Sequence, residues 1–115
     1  MLDSGELYIC TLTDTAEPGM KPAPRLAPEE EPRTYERRRF WYGRTYADKG
    51  AKERIDAVYR IWDDTEDTVR IGMYVLTTTG NQYQIDDVRP DIDKHGHPVL
   101  DLKLSRVEDY YDIAE

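Results

Sequence analysis

Apolar and polar side chains alternate along this chain in short stretches, with the period of two that marks half-buried strands, and no long stretch keeps a helical period. The cleanest case is Leu100, Leu102 and Leu104, interleaved with Asp101, Lys103 and Ser105, which predicts one face for a core and one for solvent. Upstream, residues 73–78 and 82–88 flank Thr79-Gly80-Asn81. Gly80 and Asn81 tolerate the positive φ of a tight turn, so these segments predict a hairpin. Tyr83 and Ile85 share a face of its second strand, and Val88 breaks their alternation, which predicts a bulge. Residues 55–62 form another strand, with Ile55, Ala57, Tyr59 and Ile61 opposite Asp56, Val58, Arg60 and Trp62. Residues 7–12 and "FWYGRTY" at 40–46 bring the strands to six. Six short strands at this spacing predict an all-β single domain over residues 1–115, a small six-stranded antiparallel barrel or sandwich. Closure removes the sheet edges that invite aggregation.

Between the first two strands lies "TDTAEPGMKPAPRLAPEEEPRTYERR", residues 13–38. It holds Pro18, Pro22, Pro24, Pro28 and Pro32. Proline lacks the donor a ladder needs, so the stretch reads as a long, mobile, partly extended loop. "ADKGAKER" at 47–54 reads as a turn or one loose helical turn, "DDTEDT" at 63–68 as an acidic turn, and "RPDIDKHGHP" at 89–98 as a bend.

Composition narrows the function. Hydrophobic residues make up 38% of the chain and charged residues 35%, so the core is economical and much of the surface is charged. A formal charge of −8 disfavours a general grip on nucleic-acid phosphates, which takes many Lys and Arg contacts. The charge is unevenly distributed: residues 1–32 carry a net −5, residues 33–60 a net +5 and residues 61–115 a net −8. A basic middle and an acidic C-terminal half could provide two complementary surfaces if folding keeps them apart. Cys10 is the single cysteine, which excludes an intrachain disulfide framework, and "LYICTL" reads it as a small buried apolar residue. No basic-then-apolar leader and no membrane-spanning run is visible, so the expectation is a cytoplasmic chain with no membrane partner.

Candidate chemistry is thin. Asp91, Asp93, His95 and His97 have metal-ligand side chains at every second position, but Gly96 and Pro98 make a turn the simpler reading. Asp86-Asp87 would point to opposite faces of a strand, Asp63-Asp64 lies in the acidic turn, and both pairs read as solvated surface. Arg37, Arg38 and Arg39 precede Phe40-Trp41-Tyr42, the basic–aromatic mix of single-strand nucleic-acid sites, and read more simply as a charged loop end entering a core strand. "KPAPRLAP" has polyproline-II spacing, and no glycine-rich phosphate loop is present. No catalytic residue, metal or cofactor is assigned.

One resemblance extends across the second half. "DAVYRI" ending in Arg60-Ile61, Gly72-Met73 opening a strand before a Gly turn, Tyr83-x-Ile85 and the final "VLDLKLSRVE" follow one another in an order and spacing similar to the head–tail joining proteins of tailed bacteriophages, the head-closure or stopper family. The pattern covers roughly residues 55–108. The resemblance implies a non-enzymatic ring subunit of the virion neck, assembled in the bacterial cytoplasm below the portal and its adaptor. Its implied partners are copies of itself, the portal adaptor or connector protein, and a tail completion or terminator protein. Packaged DNA would pass through the lumen without specific binding. Within such a ring, Arg37, Arg38, Arg39 and Arg44 are expected to meet Asp63, Asp64, Glu66 and Asp67 of a neighbour. The rival expectations are a small monomeric β-barrel module binding a peptide or oligonucleotide through Tyr-rich strands, and an enzyme using the 91–97 cluster.

Overall fold

The computed structural model of the chain describes residues 4–14, 18–21, 23–41, 44–45, 56–63 and 68–114, and these hold ten strands and no helix. The strands are β1 (Gly5–Asp14), β2 (Pro24–Pro28), β3 (Arg33–Arg38), β4 (Phe40–Trp41), β5 (Arg44–Thr45), β6 (Ala57–Trp62), β7 (Tyr74–Thr77), β8 (Gln82–Ile92), β9 (Pro98–Arg106) and β10 (Asp112–Ile113). Six of them close into an antiparallel barrel in the order β1-β3-β6-β9-β8-β7, and β7 returns to β1 through the pairs Leu7↔Thr77 to Cys10↔Tyr74. β2 and β10 are added outside this ring.

The barrel is filled. Leu7 and Ile9 of β1, Ala57, Tyr59 and Ile61 of β6, Val75 of β7, Ile85 of β8, and Leu102 and Leu104 of β9 are all buried in one cluster with Tyr35 and Val69. Leu100, on the same face of β9, packs against the cluster with part of its surface outside. The rings of Tyr35 and Tyr59 stack at 4.3 Å, and Tyr83 meets Tyr59 edge-on at 5.6 Å. Burial first, and then the hydrogen bond with Tyr83, drives the Tyr59 phenol well above its ordinary range, so it stays neutral.

The hairpin at Thr79-Gly80-Asn81 forms as predicted, with Gly80 at φ 98°. The predicted bulge sits at Asp86, between Ile85 and Asp87. Its effect explains the broken alternation: with one extra residue, Ile85 and Val88 both turn inward, opposite Leu104 and Leu102.

Three segments depart from the expected boundaries. Residues 13–38, read as a loop, carry the end of β1 and all of β2 and β3. The prolines do not prevent this because of where their missing donors point. The Leu26 carbonyl accepts from the Ala114 N–H at 2.7 Å, on the side away from β1. Pro24 and Pro28, two residues to either side, share that orientation, and Arg25 and Ala27 face β1 with their donors intact. Within 40–46, read as one strand, the described residues 40–41 and 44–45 instead form the separate two-stranded pair β4–β5. The strand beside β6 is β3. Aromatic content marks a strand former and says nothing of its partner. Finally, β8 runs to Ile92 and β9 begins at Pro98, so the bend at 89–98 shrinks to a tip at 93–97. The 47–54 connection lies outside the described residues.

Amide hydrogen exchange checks the revised picture. Arg25, Ala27 and the residues of β3 should exchange slowly, at rates near those of β1; fast exchange throughout 24–38 would restore the loop.

A second, smaller apolar cluster lies on the outer surface of the barrel. Cys10, Leu26 and Tyr74 are buried there beneath Tyr8, Leu76, Val107 and Tyr111. Its lid is the C-terminal segment, whose β10 pairs parallel to β2 through Asp112↔Arg25 and Ile113↔Leu26.

Candidate interaction surfaces

The outward face of β6 holds the strongest electrostatic feature. Arg60 is directly across from Glu36 on β3 and Asp101 on β9. Its Nε donates to Asp101 Oδ1 at 2.7 Å, and its Nη2 donates to Asp101 Oδ2 and Asp91 Oδ2, each at 3.0 Å. Arg60 is only 7% exposed, so its bidentate contact with Asp101 is largely shielded from water. The hydrogen bonds to Asp101 raise its pKa against the opposing pull of burial, and it stays charged. Beside it lies a cleft of about 400 Å³ walled by Glu36, Arg38, Arg60, Trp62, Asp91 and Lys94. No buried side-chain nitrogen or oxygen among the described residues lacks a partner, so the cleft presents no orphaned polar group to a ligand.

The 91–97 stretch forms a turn in which Asp93 is the organiser. Its Oδ1 accepts from the backbone N–H of His95 at 2.9 Å and of His97 at 2.8 Å. Those bonds, that from His97 foremost, hold the Asp93 carboxyl below its usual range. Asp91 is turned to Arg60, and Trp62 rests edge-on against His97 at 5.6 Å. Among the described residues no three His, Cys, Asp or Glu side chains converge to hold a metal. Asp87 is likewise engaged locally, accepting from Val88 N–H at 2.9 Å and Arg89 Nε at 3.1 Å. Cys10 is fully buried; its thiol is pushed up to about 11 by burial and then by Glu29, so it stays protonated.

Of the expected contact residues that are described, Arg37, Arg38 and Arg39 lie toward one end of β6 and Asp63 at the other. Arg37 and Arg38 lie on opposite faces of β3, across from Tyr59 and Val58. Arg38 pairs with Glu36 at 3.2 Å, and Arg37 and Arg39 are exposed. Arg44 is on β5 opposite Trp41. Asp63 follows the far end of β6, where its N–H donates to the Pro98 carbonyl at 3.2 Å. Five residues of strand separate Val58 from Asp63, roughly 16 Å at a strand's rise. Asp64, Glu66 and Asp67 lie outside the described residues. The long-range charge segregation is therefore partly cancelled in the fold, because β6 pairs with β9 and Arg60 is neutralised there. The arginines at 37–39 and Asp63 remain apart.

Two surfaces escaped the sequence reading. The first is the arm formed by the outer halves of β1 and β2, where Leu12, Met20 and Ile113 are exposed. The second is the docking of the C-terminal segment. Gln82, 4% exposed, donates from Nε2 to the Tyr111 carbonyl at 2.8 Å and accepts from the Tyr111 N–H at Oε1, 2.9 Å. A polar residue opening a strand carries no sequence sign of such a role. Tyr111 meets Tyr74 edge-on at 5.6 Å.

The chain matches no family model, no curated protein and no solved structure.

Proposed function

We propose that this protein is a structural subunit that assembles with copies of itself into a ring, as a head-closure component of a tailed-phage neck. The observation that carries the assembly reading is the placement of Arg37, Arg38 and Arg39 at one end of β6 and Asp63 at the other. Opposite charges held at the two ends of one strand give each chain two different, complementary patches, and a contact joining two different patches is the head-to-tail kind that closes rings. The filled barrel supports a scaffolding role, since side chains occupy the interior where a substrate chamber would lie. Exposed Leu12, Met20, Ile71 and Ile92 add apolar surface for neighbours. The phage-neck part of the proposal rests on the strand order noted over residues 55–108. In that setting an acidic subunit suits a passage through which DNA moves without being gripped. Its neighbours would be the connector above and the tail completion protein below.

The oligonucleotide-binding alternative finds less support. Tyr35, Tyr59 and Tyr74 are buried and offer no stacking platform for bases, and Tyr110, which is exposed, lies outside the strands.

Sedimentation velocity tests the assembly reading. The chain should form a closed oligomer as its concentration rises, and the R37E/R38E/R39E variant should remain a folded single chain by circular dichroism. A wild-type chain that stays single at millimolar concentration, or a charge-reversed variant that assembles normally, refutes it.

A further inference from the structure

The groove over Cys10, Leu26 and Tyr74 is built to hold an extended chain segment. Gln82 recognises the backbone N–H and C=O of that segment at Tyr111, as another strand would. Leu26 offers its carbonyl to the Ala114 N–H. The apolar floor receives Val107 and Tyr111. Pro24 and Pro28 present no donors on this side of β2, so a docking strand can pair only at Arg25 and Leu26. The two prolines leave Leu26 as the one residue of β2 whose N–H can donate to a docking strand, which hinders open-ended strand addition.

We infer that, in the assembled protein, this groove takes residues 111–114 of a neighbouring copy in place of the chain's own, with residues 107–110 as the linker between the two barrels. The occupant is a second copy because the groove already fits that segment in every chain. The contacts of Tyr111, Asp112, Ile113 and Ala114 with Gln82, Arg25 and Leu26 can be made between chains as they are within one, which is the condition for domain swapping. The segment's hold is brief: β10 is two residues long. Residues 107–110 join it to β9 outside any strand, with Val107 N–H bonded to the Gln82 carbonyl at 3.2 Å. A ring holds neighbouring grooves and segments at high effective concentration, which favours exchange over release. This inference rests on the assembly reading above.

Two full-length variants test it, Arg25→Cys and Asp112→Cys, whose backbones are directly paired and within reach of a disulfide. Cys10 is buried and does not compete. The variants are mixed at an assembling concentration and oxidised, and the linked peptides are identified by mass spectrometry. The expected product is an interchain disulfide between positions 25 and 112, lost on dilution below assembly and reduced by an excess of synthetic peptide 107–114. The double variant R25C/D112C, diluted to single chains, should close within itself, showing that both sites are folded and reactive. If that intrachain link forms and the mixture assembles by sedimentation without an interchain link, exchange is refuted and the assembly reading stands. A mixture that never assembles refutes both.

Discussion

Arg60→Met should lower the free energy of unfolding by about 3 kcal/mol, because it leaves the mostly buried Asp101 carboxylate without its partner. The wild-type guanidinium satisfies both Asp101 oxygens and reaches Asp91, and its side chain and that of Asp101 are 8% and 17% exposed. Asp91 is 56% exposed, so water can replace Arg60 there and that contact adds little. The double variant R60M/D101L should recover most of the loss, since apolar groups of similar volume need no counter-charge. Urea denaturation of the two single variants and the double variant gives the coupling directly. A single-variant loss under about 1 kcal/mol would mean that water reaches this fork, as at an ordinary surface pair. The barrel should still close, because the ladder β3–β6–β9 is held by backbone bonds that the Arg60 side chain does not supply.

Leu102→Ala should cost about 3–4 kcal/mol through the lost burial and the cavity left behind. In a chain of 115 residues that corresponds to a fall in Tm of roughly 12 °C. Leu102 is wholly buried at the middle of β9, paired with Tyr59 on one side and Val88 on the other. Neither neighbour can swing in to fill the gap: Tyr59 is stacked on Tyr35, and Val88 is set by the bulge at Asp86. Leu100→Ala, two residues away on the same face but half-buried, should cost about 1–2 kcal/mol. Differential scanning calorimetry of the two variants tests the gradient. Equal losses would place Leu100 and Leu102 in the same environment and contradict the way β9 leaves the barrel.

The candidate contact surfaces have a different standing from the core. Arg37, Arg38, Arg39 and Asp63, which lie toward opposite ends of β6, were legible as residue types. Their separation was not, because it depends on β6 standing between them. The metal-like spacing of Asp91, Asp93, His95 and His97 shows the reverse. Its residue types admit two chemistries; Gly96 and Pro98 already favoured the turn, and the backbone bonds accepted by Asp93 show how it is held.

What the sequence determined by itself is local: the two-residue period of β6, β8 and β9, the turn at Gly80, and the presence of a bulge after Ile85. Each of these depends on side chains within a few positions of one another, so the order of residues carries the whole signal. Tertiary structure alone decided the rest: closure of β7 on β1, recruitment of a proline-bearing segment as β2, and capture of Tyr111 by Gln82, 29 residues away. Those features depend on which backbone edge faces which neighbour. Pro24 and Pro28 forbid a strand in isolation and permit one here because their missing donors point away from β1. Local pattern can say that a segment suits a strand. The partner that completes it is chosen by the rest of the fold.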